Sequence, residues 1–129
     1  MKWVLGILAV VVIVSVMLWL NAYKERFDVV RATIAGAVNE LAVARDEIST
    51  EFARAKAMPA PRDFPTTTKN VRSVKLEADG RLVATLSSSD SPSAAGKHIV
   101  YESRVAGANL EWRCTSPDID RKLLPATCR

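Results

Sequence analysis

From Trp3 to Leu20 every position is apolar except Gly6 and Ser15, and there is neither a charge nor a proline. A run of this length and composition is long enough to cross, as a helix, a hydrocarbon layer about 30 Å thick. Trp3, Trp19 and Tyr23 stand at its two ends, where aromatic rings favour the lipid headgroup zone. A cleaved secretory signal is the competing reading, because Lys2 supplies a positive start and Leu20-Asn21-Ala22 imitates a cleavage site. Signal cores usually hold roughly 7 to 15 apolar residues and end in small ones. This run is longer and ends in Met17-Leu-Trp-Leu20, which favours a retained anchor over residues 1–22.

From Tyr23 to Ala57 the pattern changes but the helix signal does not. There is no proline, and Phe27, Val30, Ile34, Val38, Leu41, Ile48 and Phe52 recur at steps of three, four and seven. That spacing gathers them on one helical face, opposite Asp28, Arg31, Glu40, Asp46, Glu47, Glu51 and Arg54. Gly36 is the softest point, since glycine costs about 1 kcal/mol relative to alanine inside a helix. Pro59 and Pro61 end the run, because proline lacks an amide donor and disfavours helical geometry in the residue before it. The pattern predicts a continuous rod, apolar all round over residues 1–22 and amphipathic over residues 23–57.

Residues 58–70 form a polar, proline-rich linker, after which the period drops to two. Val74, Leu76 and Ala78 alternate with polar residues, Asp79-Gly80 supplies a tight turn, and Leu82, Ala84 and Leu86 alternate on the return. A serine-rich loop over residues 87–97 leads to Ile99, Tyr101, Ser103 and Val105. After a turn at residues 106–109, Leu110, Trp112 and Cys114 alternate. The expectation is an α+β chain whose long helix covers a four-stranded antiparallel sheet in residues 71–129. Trp112 and Leu110 are read as facing inward.

The two cysteines, Cys114 and Cys128, allow a single intramolecular pairing. A disulfide between them closes a loop of about 15 residues, worth roughly 3 kcal/mol in the chain-entropy model. Free thiols or half of a metal site are the alternatives, but with one histidine a zinc site would need carboxylates, and the cysteine spacing is not a zinc spacing. A disulfide points to an oxidising space, hence a periplasmic or external C-terminal domain. The positive-inside rule argues the other way, since Lys24, Arg26 and Arg31 follow the apolar run and only Lys2 precedes it. The imbalance is small and the cysteines decide the reading: a single-pass membrane protein with its C-terminal domain in the periplasm or at the cell exterior.

Composition removes other classes. The net charge of +4 is mild and basic residues are interspersed with acidic ones, so no nucleic acid is expected. The lone His98 opens a predicted strand, and Ser87, Ser88, Ser89, Ser91 and Ser93 sit in a loop without a nucleophile-elbow pattern, so no enzyme is expected. Asp118 and Asp120 could bind calcium, but Arg113, Arg121 and Lys122 offset them and favour a solvated loop. No cofactor or metal is expected.

The tail Trp112-Arg-Cys114-Thr-Ser, then Ile119, then Lys122-Leu-Leu124-Pro125-Ala-Thr-Cys128-Arg129 resembles the C-terminal region of type IV pilins. There a tryptophan-x-cysteine strand precedes a loop ending in leucine-proline-x-x-cysteine, and the order of elements extends the likeness to the whole chain. The resemblance implies a structural subunit that polymerises through its N-terminal helix, here the one bearing Phe27, Val30, Ile34, Val38, Leu41, Ile48 and Phe52. It also implies that the loop over residues 114–128 serves contacts and adhesion at the exposed surface, with Ile119, Lys122, Leu123 and Leu124 as contacts; covering the sheet edge is the alternative for Ile119, Leu123 and Leu124. Partners on this view are membrane lipid and other pilins or pilus-assembly proteins, with self-association among them. The family's precursors carry a cleaved glycine followed by phenylalanine and an early glutamate; Gly6-Ile7-Leu-Ala-Val-Val-Val12 has neither the aromatic nor the acid. A buried glutamate is expensive in lipid and serves as an assembly contact, so its absence predicts an unprocessed, atypical subunit. The alternative is a monomeric, membrane-anchored accessory module.

Overall fold

The computed structural model describes residues 1–87 and 92–129. Ser88, Ser89 and Ser91 of the serine-rich loop lie outside the described residues. A single helix, α1 (Lys2–Ala55), runs unbroken through Gly36. At about 1.5 Å per residue it is a rod on the order of 80 Å long. It stops where Lys56 turns left-handed (φ 58°) and its N–H bonds the Phe52 carbonyl at 2.7 Å, just ahead of the prolines.

Five strands follow in a simple antiparallel meander: β1 (Arg62–Phe64), β2 (Val71–Leu76), β3 (Arg81–Leu86), β4 (His98–Ala106) and β5 (Asn109–Thr115). Short 3-10 turns occupy Pro92–Ala94, Arg121–Leu123 and Ala126–Cys128. The α+β expectation holds, with five strands in place of four. The extra strand, β1, falls inside the expected linker, where Arg62, Asp63 and Phe64 pair with Leu76, Lys75 and Val74. Pro61 and Pro65 bracket it, and the missing N–H groups are tolerated because this is an edge strand. Three residues are too short to show a period of two, which is why the pattern hid it.

The core lies between the C-terminal half of α1 and the inner sheet face. Ile34, Leu41 and Ile48 are fully buried, with Ala37 and Ala44 filling the gaps, against Val74, Leu82, Leu86 and Ile99. Val30 and Val38 pack at the margin and Phe27 is half-buried. Trp112 is partly buried against this core, stands edge-on to Tyr101 at 6.4 Å, and donates from Nε1 to Ser49 Oγ at 2.9 Å. Val105 departs from the inward alternation and is 60% exposed. The β4–β5 hairpin reaches past the last β3 pairing at Arg81–Glu102, so its tip has nothing to face.

Candidate functional site

The C-terminal loop is built on β5 and returns to it. Cys114, in β5, and Cys128, in the last 3-10 turn, are joined by a disulfide and both are buried. Between them, the structure places the four expected loop contacts in two groups. Ile119 (7% exposed) and Leu124 (2%) point into the core and seat the loop, whereas Lys122 is exposed and Leu123 half-buried at its rim. An apolar loop residue has two ways to leave water, a neighbour or its own sheet; here the alternation around the 3-10 turn aims two of them inward.

Polar groups fix the loop from both sides. Asp118 accepts from the His98 backbone N–H at 2.9 Å and meets His98 Nδ1 at 2.8 Å. Ser116 Oγ donates to the His98 carbonyl at 2.7 Å and accepts from the Ile119 N–H at 3.1 Å. Partial burial by itself would raise the Asp118 carboxyl, but the His98 amide and ring and the Ser116 hydroxyl outweigh it and hold the carboxyl below its ordinary range. Asp120 accepts from the Lys122 N–H at 2.9 Å and opens the turn over Arg121–Leu123. The Arg129 side chain donates to the Leu124 carbonyl at 3.0 Å and ties down the end. So Asp118 and Asp120 each serve the loop's own backbone. His98, half-exposed at the start of β4, is the anchor for Asp118, a role its position at a strand start did not reveal.

On the other edge, Arg62 is clasped by Glu51 and by Glu47 at 2.9 Å, and its guanidinium lies 4.8 Å from the Phe64 ring centre. The hydrogen bond from Arg62 holds the Glu51 carboxyl below its usual range against the opposing effect of burial, with the charges of Arg62 and Arg54 adding to it. Glu40 accepts from the Thr67 N–H and from Thr68 Oγ1 at 2.9 Å. These carboxylates look like the wet side of a helix in sequence, and Glu47 is indeed largely exposed, yet they fasten residues 62–68 to α1.

The N-terminal half of α1 presents a different surface. Among the described residues Trp3 to Leu20 is exposed throughout, and this stretch is long and apolar enough to cross a membrane. Trp19 and Tyr23 stack at 6.0 Å at its end. Among the described residues no group of three or more histidine, cysteine or acidic side chains is placed to hold a metal ion.

Residues 30–129 match the family model described as Pilin (bacterial filament). The match begins midway along α1 and takes in its amphipathic part, the whole sheet and the disulfide loop. A search of curated proteins returned no match.

Proposed function

The chain belongs to the pilin family, and from that premise we propose how it works: a structural subunit anchored in a bacterial inner membrane by residues 1–22, with its β domain in the periplasm, that enters type IV pilus assembly. The observation that carries this reading is the division of α1. Ile34, Leu41 and Ile48 are used up by the chain's own sheet, while Trp3 to Leu20 is exposed throughout. A bare apolar rod in water is untenable, so it lies in lipid or among the equivalent rods of neighbours. Residues 23–57 then act as the stem that carries the five-stranded sheet, whose first strand, β1, lies within residues 58–70. Lys122 and Leu123 offer the loop's contact surface to partners or receptors, and Ile119 and Leu124 hold that surface in shape.

Two experiments test the reading. A reporter active only in the periplasm, fused after Arg129, is expected to be active, and activity only from a cytoplasmic reporter reverses the orientation. A Val11→Cys variant, crosslinked in cells, is expected to give ladders or adducts with pilins. Crosslinks to lipid with the protein always monomeric would replace the subunit by a tethered accessory module.

A further inference from the structure

Where α1 leaves the apolar segment, the disulfide loop comes down beside it. An open groove of about 400 Å³ lies between them, lined on the helix by Tyr23, Arg26, Phe27 and Val30 and on the loop by Lys122 and Leu123, with Ser93 and Asp120 at its margin. The groove is amphiphilic and net positive: four apolar or aromatic side chains with two cations against one carboxylate, Asp120. Neither Arg26 nor Lys122 takes part in an ion pair among the described residues. Asp120, the carboxylate at the margin, is engaged with the Lys122 N–H. Glu25 and Asp28 fall on the far side of the helix at 100° per residue, away from the groove.

Depth then decides what reaches it. A hydrocarbon layer about 30 Å thick takes about 20 residues of helix, and a headgroup layer of roughly 5 to 8 Å takes about four or five more. Counted from Trp3, the hydrocarbon ends near Ala22 and the headgroup layer spans Tyr23 to Phe27. The groove therefore opens at the level of lipid phosphates, and the loop that lines it rests there too.

We propose that this groove seats the headgroup of an anionic phospholipid, its phosphate between Arg26 and Lys122 and its glycerol and first methylenes against Tyr23, Phe27 and Leu123. The proposal rests on the membrane-anchored reading above. It also gives Arg26, one of the three basic residues after the apolar run, a task on the periplasmic side, where it otherwise argues against the orientation.

The test uses the full chain in nanodiscs of mixed phosphatidylcholine and phosphatidylglycerol, with native mass spectrometry of the lipids that leave with the protein. Phosphatidylglycerol is expected to be enriched severalfold over its bulk share. An Arg26→Gln/Lys122→Gln variant, its disulfide and circular dichroism unchanged, is expected to lose the enrichment, and Lys24→Gln/Arg72→Gln, which takes the same charge from positions outside the groove, to keep it. Bulk lipid ratios on the wild type, equal loss in both variants, or loss of crosslinks to a neighbouring protein in place of lipid selectivity would each overturn the seat. Failure to float with vesicles of either composition would instead strike the membrane anchor itself, so the two failures are distinguishable.

Discussion

Single residues set the geometry at two places where the chain has no slack. Gly80 closes the β2–β3 turn at φ 84°, and a Cβ there would lie 2.7 Å from Ser103 Oγ, the hydroxyl that donates to the Gly80 carbonyl at 2.8 Å. Gly80→Ala combines a left-handed alanine with a displaced hydrogen bond and should cost about 2 kcal/mol, read as a lower urea midpoint with an unchanged slope. The turn was legible in Asp79-Gly80; the serine pressing on it from another strand was not, because only the β3–β4 pairing brings it there. Asp118 is the second place. Its carboxyl is lowered in the fold, so its contribution is complete above the ordinary value near 3.8 and disappears as pH falls through the lower folded value. Asp118→Asn should therefore lose on the order of 1 kcal/mol at pH 7, discounted for its exposed position, with the gap to wild type closing below pH of about 4. A gap that persists unchanged in acid would remove the carboxylate from the account.

At the scale of elements, the loop and the first strand are held by opposite means. The loop is covalent: Cys114→Ala/Cys128→Ala should lower stability by about 3 kcal/mol, and thermal unfolding with and without reductant on the wild type should show a comparable difference. A much smaller loss would mean that Ile119, Leu124 and the Asp118–His98 contact hold the loop without the bond. Strand β1 is held by Phe64 in the core at one end and by charge and stacking at Arg62 at the other: Arg62→Ala should loosen the Arg62 end, seen as faster amide exchange at the Arg62–Leu76 pairing with little change in global melting. Patterning showed α1, β2, β3 and the disulfide plainly, since long apolar periods and paired cysteines are local signals. It did not show β1, whose three residues carry no period and which is held from outside itself, by pairing with β2, by Phe64 in the core and by Glu47 and Glu51 on a distant helix.

Across the whole molecule, one helix does two unrelated jobs, and substitutions along it should separate them. Leu41→Ala empties a fully buried site between helix and sheet and should cost about 2 to 5 kcal/mol of domain stability. Val11→Ala, far from any sheet contact, should leave the unfolding of the β domain unchanged in detergent while altering membrane or neighbour contacts; a shift in domain melting would mean that the two halves are coupled. The sequence by itself determined this division, because hydrophobic period is a local property of the chain: apolar all round, then one-sided, then alternating, then closed by two cysteines. Only the tertiary structure decided which apolar loop residues face inward, which carboxylates clasp Arg62, and that the stapled loop descends beside Arg26 at the end of the apolar segment. Those outcomes depend on which surfaces meet across gaps of tens of residues, and no local period encodes the partner on the far side of a contact.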